Sequence, residues 1–340
     1  MDTITERIDR VTHIPQERLS DTPPAPRSCK IELVARCSAR CKFCALTLRA
    51  KQPTKDMDPA LFRRIVAEMA EAGVEEIGMF LVGESTLNPG LLVDAIRYAN
   101  GLGLFTFLTS NATHATPDLV ESMMAAGLDS LKWSVTAADE AQYVEILQIS
   151  PRMFHRAKAH IRAAWEIREA GGYATQLSAS SIRYDAGQAE KMRAMLAADI
   201  LPYVDQHYDL PLYTFGSLAT ASEEYLGFRP SPGNMGRADA PVPPLPCWLT
   251  ITEAHVLVDG RLTTCSFDSG DDERWTMGDL NTQSFMSAWH SEKFRALRRA
   301  HLRRDVRGTA CEDCAMYGTS ARPPAPSLLQ IDVPHPLLRG

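Results

Sequence analysis

Hydrophobic positions along this chain switch between two periods, and the switching is regular from Lys30 to Leu210. Lys30-Ile-Glu-Leu-Val-Ala-Arg36 reads as a buried strand. Asp58-Pro59 then supplies a helix cap and first turn, and Leu61, Ile65, Val66 and Met69 recur at helical spacing up to Gly73. Ile77 to Val82 is the next strand. Pro89 opens a helix through Leu92 and Ile96, Leu104 to Thr109 reads as a strand, and Pro117 starts a helix that runs to Gly127. Strand Leu131 to Val135 precedes a long helix, Met153 to Ala170, which Gly171-Gly172 stops. Strand Ala174 to Ile182, helix Ala186 to Ala198 and strand Pro202 to Leu210 complete six strand-helix units. Six such units with right-handed crossovers predict an α/β fold, a partial (β/α)6 TIM-type barrel with its site at the strands' C-terminal ends.

The pattern changes on both sides of that repeat. Residues 1–28 form an N-terminal arm, with a short helix and a proline run, Asp21-Thr-Pro-Pro-Ala-Pro-Arg27, that marks an extended wrap. The barrel is expected over 29–215 and a Gly/Pro-rich linker over 216–246. A small second domain is expected over 247–320 and a Pro-rich tail over 321–340. Within the second domain, an Asp259-Gly260 turn between apolar runs predicts a hairpin that delivers Cys265, and one helix is expected from Phe285 through Trp289, Phe294 and Leu297.

Composition bounds the function. With 340 residues and 45% hydrophobic content the chain can bury a large core. No apolar run reaches the roughly 18 residues of a membrane span, and Met1-Asp-Thr-Ile-Thr-Glu-Arg7 has no secretory pattern, so a cytoplasmic, membrane-free protein is expected. The net charge of -6 argues against general nucleic-acid binding. The local run of Arg295, Arg298, Arg299, Arg303, Arg304 and Arg307 is read as a solvated helix face.

The eight cysteines bring in chemistry. Without a secretory signal, clustered cysteines point to metal ligation more than to disulfides. Cys29, in an apolar strand, is read as an inert buried thiol. Cys37-Ser-Ala-Arg-Cys41-Lys-Phe-Cys44 can wrap one corner of an iron-sulfur cube and leave one iron without a protein ligand. Zinc fits this trio poorly, because structural zinc takes four ligands at paired spacing. Cys247, Cys265, Cys311 and Cys314 offer four thiolates, enough for a closed 4Fe-4S cluster or for a zinc ion.

The loop Cys37-x3-Cys41-x2-Cys44, with Phe43 before its third cysteine, resembles the radical S-adenosylmethionine (radical SAM) enzymes. Gly83-Glu84, after a strand, resembles the family's glycine-glycine-glutamate motif with Val82 in place of the first glycine. Thr109-Ser-Asn111-Ala-Thr113 is similar to the family's turn after the third strand. The resemblance implies that the open iron chelates SAM, which a reduced cluster cleaves to a 5'-deoxyadenosyl radical. It implies cofactor contacts from Phe43, Gly83, Glu84, Asn111, Ser134 and Ser180. From the residues alone, Asn111 is equally a turn residue and Ser134 an ordinary sheet serine.

The second cysteine set resembles the twitch extension within the SPASM group. The similar segments are Val258-Asp259-Gly260, Met277-Gly278-Asp279-Leu280, the Trp289 helix and the final Cys311-x2-Cys314. Full SPASM domains carry further cysteines that this sequence does not supply. The implied cofactors are therefore SAM and two 4Fe-4S clusters, one SAM-binding and one auxiliary. The implied partners are a substrate and an electron donor such as flavodoxin or ferredoxin.

Two-electron oxidation of a polar small molecule, a sugar or aminocyclitol, is the favoured expectation. His207, Tyr208 and Asp209, near the sixth strand's end, are base candidates by position. Radical epimerisation needs a thiol donor, and Cys29 lies away from the mouth. Maturation of a ribosomal precursor peptide often uses a recognition domain, for which residues 1–28 are too short. A ferredoxin-like electron carrier would need neither the barrel nor the SAM motif.

Overall fold

In the computed structural model, the described residues are 2–44, 46, 53–182, 186–210, 245–266, 273–312 and 314. The N-terminal helix α1 (Ile4–Thr12) is followed by β1 (Ser28–Ile31), α2 (Pro59–Ala72), β2 (Glu76–Gly78), α3 (Pro89–Gly101) and β3 (Phe105–Ser110). Then come α4 (Pro117–Ala125), β4 (Ser130–Val135), α5 (Glu140–Leu147), α6 (Arg152–Gly171), β5 (Gln176–Ile182), α7 (Ala186–Asp199) and β6 (Gln206–Leu210). The strands β1 to β6 pair in parallel and in sequence order, the curved sheet of a partial barrel.

Local chemistry accounts for the punctuation. The Asp58 carboxylate accepts the Leu61 amide at 2.8 Å to start α2, and Gly73 at φ 89° stops it. Phe62, Ile65, Val66 and Met69 then fall on its buried face. Asn88 caps α3 in the same way, with its side chain accepting the Leu91 amide at 3.2 Å.

Beyond the barrel lie β7 (Glu253–Val256), β8 (Arg261–Thr263), β9 (Thr276–Asp279), α8 (Phe285–Trp289) and α9 (Glu292–Leu302). The expected hairpin is present as β7 and β8, but it does not stand apart. β7 pairs in parallel with β1, Lys30 opposite His255, so the sheet continues through β7, β8 and β9 to nine strands. One core cluster accordingly runs from Cys29 to Cys311.

Several boundaries differ from the periodicity. The first strand ends at Ile31, because Val34 leaves the ladder for a single bridge to Asp56, and β2 ends at Gly78. Beyond the ladders the chain keeps only single backbone bonds, the Glu32 and Met79 amides donating to the Val256 and Phe107 carbonyls at 2.9 Å, and alternation cannot tell such chain from a paired strand. α5 was not anticipated. Its signal is short, an Asp139 cap that accepts the Gln142 amide at 2.8 Å followed by Tyr143, Ile146 and Leu147. Pro202 sits in a 3-10 turn before β6. The single helix expected from Phe285 is two, because Ser291 caps α9 through the Phe294 amide at 3.2 Å.

The arginine run is not a uniformly solvated face, which corrects the expectation from charge alone. Arg298 is fully buried, its guanidinium 4.0 Å from the centroid of Trp289 and 3.8 Å from that of Phe294. It donates to the carbonyls of Thr250 at 2.8 Å and Trp289 at 2.7 Å. Arg295 and Arg299 reach Asp21 of the arm, and the His290 and Trp289 rings donate to the Pro23 and Pro24 carbonyls at 2.8 and 3.2 Å. The proline wrap therefore binds the second cysteine region. No described helix is long and apolar enough to cross a membrane.

Candidate active site: two cysteine sites on one sheet

The Cys37–Cys44 loop leaves β1 at the C-terminal mouth and is held from three sides. At its root, Arg36 pairs with Asp56, and Asp56 also accepts the Asn88 amide group at 2.6 Å. On the α5 side, the Arg40 and Lys42 amides donate to the carbonyls of Leu147 and Ile146 at 2.9 and 3.0 Å. On the β3 side, Ser38 and Thr113 hydroxyls lie 3.1 Å apart, and Asn111 Nδ2 lies 3.7 Å from Cys37 Sγ. Backbone bonds on the α5 side and side-chain contacts from Asp56, Thr113 and Asn111 together anchor the loop.

Glu84 lies beside it. The Gly83-Glu84 segment passes so close to the Val34-Ala35 backbone that a Cβ on Gly83 would come within 2.8 Å of the Ala35 carbonyl carbon. Only glycine permits that approach. The Glu84 amide then donates to the Arg36 carbonyl at 3.0 Å, and its carboxylate is buried. One carboxylate oxygen accepts the hydroxyls of Ser110 at 3.0 Å and Thr86 at 2.8 Å; the other accepts the Asn111 amide at 3.0 Å. Asn111 is thus both a turn residue and the link from Glu84 to Cys37. Ala112, in the turn's glycine position, adopts φ 64°.

Burial first, and the Glu84 charge next, push the Cys37 thiol up to about 12; burial, then the Cys44 and Cys37 charges, push the Cys41 thiol well up too. Clustered buried thiols resist ionising together unless a cation accompanies them. The Tyr143 hydroxyl of α5 is buried with no hydrogen-bond partner among the described residues. Burial, and then Cys41, Cys37 and Glu84, raise its titration. A donor set of three thiols, a buried carboxylate and an orphaned hydroxyl fits an iron-sulfur cluster with an amino-acid ligand. Phe43 is half-buried beside the trio.

The second set is gathered from distant segments. Cys247 and Cys265 share a small cluster with Val11, Trp248 and Leu249, while Cys311 belongs to the main core and Cys314 packs against it. Burial, then Cys314 and Cys311, push the Cys247 thiol well up, which puts these three in one electrostatic neighbourhood. Buried His301 is lowered to about 4 by desolvation and stays neutral, and its Nδ1 accepts the Cys247 amide at 3.2 Å. No three described His, Cys, Asp or Glu side chains close on a single metal ion. Cluster thiolates sit on separate irons and do not need to.

The remaining sequence candidates divide by strand parity. Register places Ser134 beside Ser180 and Ser180 beside Tyr208, one row on the inner face of the sheet. Tyr208 lines an interior cavity. His207 and Asp209 alternate to the other face, where the Ser181 hydroxyl donates to Asp209 at 2.7 Å and lies 2.9 Å from His207 Nε2. Of the three base candidates near the sixth strand's end, His207 and Asp209 thus meet Ser181, and Tyr208 lines the cavity. Sequence reasoning missed Tyr143 and also Lys132, an inward lysine on β4 whose signal was a charge inside an apolar strand.

Comparison with known proteins agrees with this arrangement. Residues 31–175 match the radical SAM superfamily and residues 247–315 the SPASM iron-sulfur cluster-binding domain. A PqqA peptide cyclase of Methylobacterium nodulans is 31% identical over 121 residues, 36% of this chain and 31% of that relative. A PqqA peptide cyclase of Xanthomonas campestris is 30% identical over 120 residues, again 31% of its length, so the chain matches under a third of these relatives. Among solved structures, SuiB of Streptococcus suis bound to precursor peptide SuiA has a TM-score of 0.62 at 12% identity, over 92% of this chain and 72% of that one. BtrN in complex with AdoMet and 2-DOIA has a TM-score of 0.51 at 14% identity, over 81% and 86%. The structural likenesses establish the fold alone, and the two family matches fall on the two cysteine sites. The chain belongs to the radical SAM superfamily and carries a SPASM iron-sulfur domain beyond its barrel.

Proposed function

We propose that this protein is a radical SAM maturase that oxidises a residue of a precursor peptide, with SAM and two 4Fe-4S clusters. The observation that carries the peptide reading is the 31% and 30% identity to PqqA peptide cyclases over 121 and 120 residues. Small-molecule dehydrogenation, the expectation from the sequence and its family resemblance, is the second reading; it is favoured by the modest cavity of about 160 Å³.

When bound, the reduced cluster and SAM together supply the 5'-deoxyadenosyl radical. Cys37, Cys41 and Cys44 hold that cluster, and Glu84 accepts the cofactor's ammonium in a charge-assisted bond. Asn111, Ser134, Ser180 and Phe43 line the route from the loop to the inner sheet face as further cofactor contacts. Cys247, Cys265, Cys311 and Cys314 would hold the auxiliary cluster, which would supply an electron acceptor for an oxidation. An external flavodoxin or ferredoxin supplies the starting electron.

The test is anaerobic turnover of reduced, iron-reconstituted protein with SAM and synthetic candidate precursor peptides, PqqA among them, followed by mass spectrometry. Loss of two hydrogens from one peptide, matched mole for mole by 5'-deoxyadenosine, is expected. Unchanged peptides beside an aminocyclitol converted to its ketone would overturn the peptide reading.

A further inference from the structure

The barrel interior holds an asymmetry that the cysteine sites do not explain. Its cavity, about 160 Å³, is near the size that holds a benzene ring in an engineered protein core. Three cations line it: Arg7 of α1, Lys30 of β1 and Lys132 of β4. Two carboxylates line it, and both are engaged. Arg7 makes two bonds to Glu76, at 3.0 and 2.8 Å. Lys30 donates to Glu253 at 2.8 Å, and the same Glu253 oxygen lies 2.6 Å from His255 Nε2. Lys132 has no carboxylate among the described residues. Its Nζ meets the Tyr208 hydroxyl at 3.3 Å and stands 5.8 Å from that ring's centroid.

We infer that Lys132 and Tyr208 form a carboxylate-binding subsite inside the barrel, which anchors an acid group of the substrate. The inference rests on the enzyme reading above and deepens it, by assigning the substrate an anionic group. A cation that has lost water and gained no counter-ion is stabilised by a ligand that brings one. Among the described residues, the other charges near Lys132 are paired within the protein: Arg7 with Glu76, and Lys30 and His255 with Glu253. The Tyr208 hydroxyl offers a second donor to the same anion. The walls suit an acid with an apolar body, since Phe80, Phe107 and Leu210 line the cavity. Burial, with Lys30 adding repulsion, brings Lys132 down to about 7, so a carboxylate binding above that pH must draw a proton onto it. Among the described residues, the cavity lining includes no cysteine and no part of the Gly83-Glu84 segment.

Calorimetry on the cluster-loaded protein with benzoate, and with its neutral isostere benzamide, tests the subsite without turnover. It therefore fails or succeeds independently of the peptide reading. Saturable benzoate binding with uptake of about one proton, read from the dependence of heat on buffer at alkaline pH, is the expected result. At least a tenfold weakening is expected for benzamide, and the same for benzoate on Lys132→Met. Benzamide binding as tightly as benzoate, or no saturable benzoate binding to the wild type, overturns the proposal. Lys132→Met conserves volume, and a preserved melting transition shows that lost binding is not lost folding. Preference for N-acetylaspartate methylamide over benzoate assigns the carboxylate to an acidic peptide side chain, and the reverse to a free acid; both support the subsite. A raised KM for SAM in Lys132→Met would make the cofactor's own carboxylate the occupant, and would overturn it.

Discussion

The two cysteine sites share a sheet and differ in how they are built. Cys37, Cys41 and Cys44 come from one eight-residue loop, are half-buried, and are held by backbone bonds from α5 and by the Glu84 network. Cys247, Cys265 and Cys311 are buried, come from separated segments, and are clamped by His301, Arg298 and the proline wrap. A local loop beside a carboxylate leaves one coordination position open for a substrate-sized ligand. A distributed set in a packed core closes its metal off and ties its formation to folding. On the function proposed above, the first site would carry the chemistry and the second would hold an electron.

The sharpest way to break this comparison is to remove one thiol from each site. Cys41→Ser is expected to abolish 5'-deoxyadenosine formation, while Cys311→Ser keeps measurable SAM cleavage and loses product; iron content and nucleoside chromatography on both variants decide it. Equal loss of cleavage in the two would make the auxiliary site part of cofactor binding. Next in size, Glu84→Gln keeps the acceptor to Ser110 or Asn111 but loses the charge, so SAM cleavage should fall about 10- to 100-fold. An unchanged KM for SAM would remove Glu84 from that role.

On the other site, Arg298→Met should cost on the order of 3 kcal/mol, because it strands the buried Thr250 and Trp289 carbonyls. Chemical unfolding measures that loss, and auxiliary iron should drop with it while the Cys37 site stays loaded.

The smallest expected effect is on pH dependence. Lys132 has a folded-state titration near 7 against 10.5 for a free lysine, because it is buried and faces Lys30. Between those values the unfolded chain binds the proton more tightly, so the wild type loses stability as pH falls from 10.5 to about 7 and loses no more from this group below that. Lys132→Met should therefore gain most over wild type near and below pH 7 and least above 10.5. Denaturant midpoints across that range check the sign, and a gain that grew with pH would contradict it.

Much of the fold was legible because helices and parallel strands repeat their own periodicity. Caps such as Asp58 and stops such as Gly73 lie in the local sequence and act locally. The trio Cys37, Cys41 and Cys44 was legible for the same reason, since its spacing is its geometry. α5 escaped because eight residues carry too few periods, yet its carbonyls hold the cluster loop. Charge alone misplaced Arg298, since a guanidinium between two rings with carbonyl acceptors can be buried and a sequence run cannot show that.

By itself, the sequence determined the alternating barrel and the family signature, because each depends on residues near one another along the chain. Only the tertiary structure decided that β7 extends the barrel sheet through β1, that Tyr208 faces inward while His207 and Asp209 face out, and that Lys132 stands in the cavity without a carboxylate among the described residues. Strand parity, sheet neighbours and the pairing of buried charges depend on which distant segments meet, and that is settled by packing rather than by spacing.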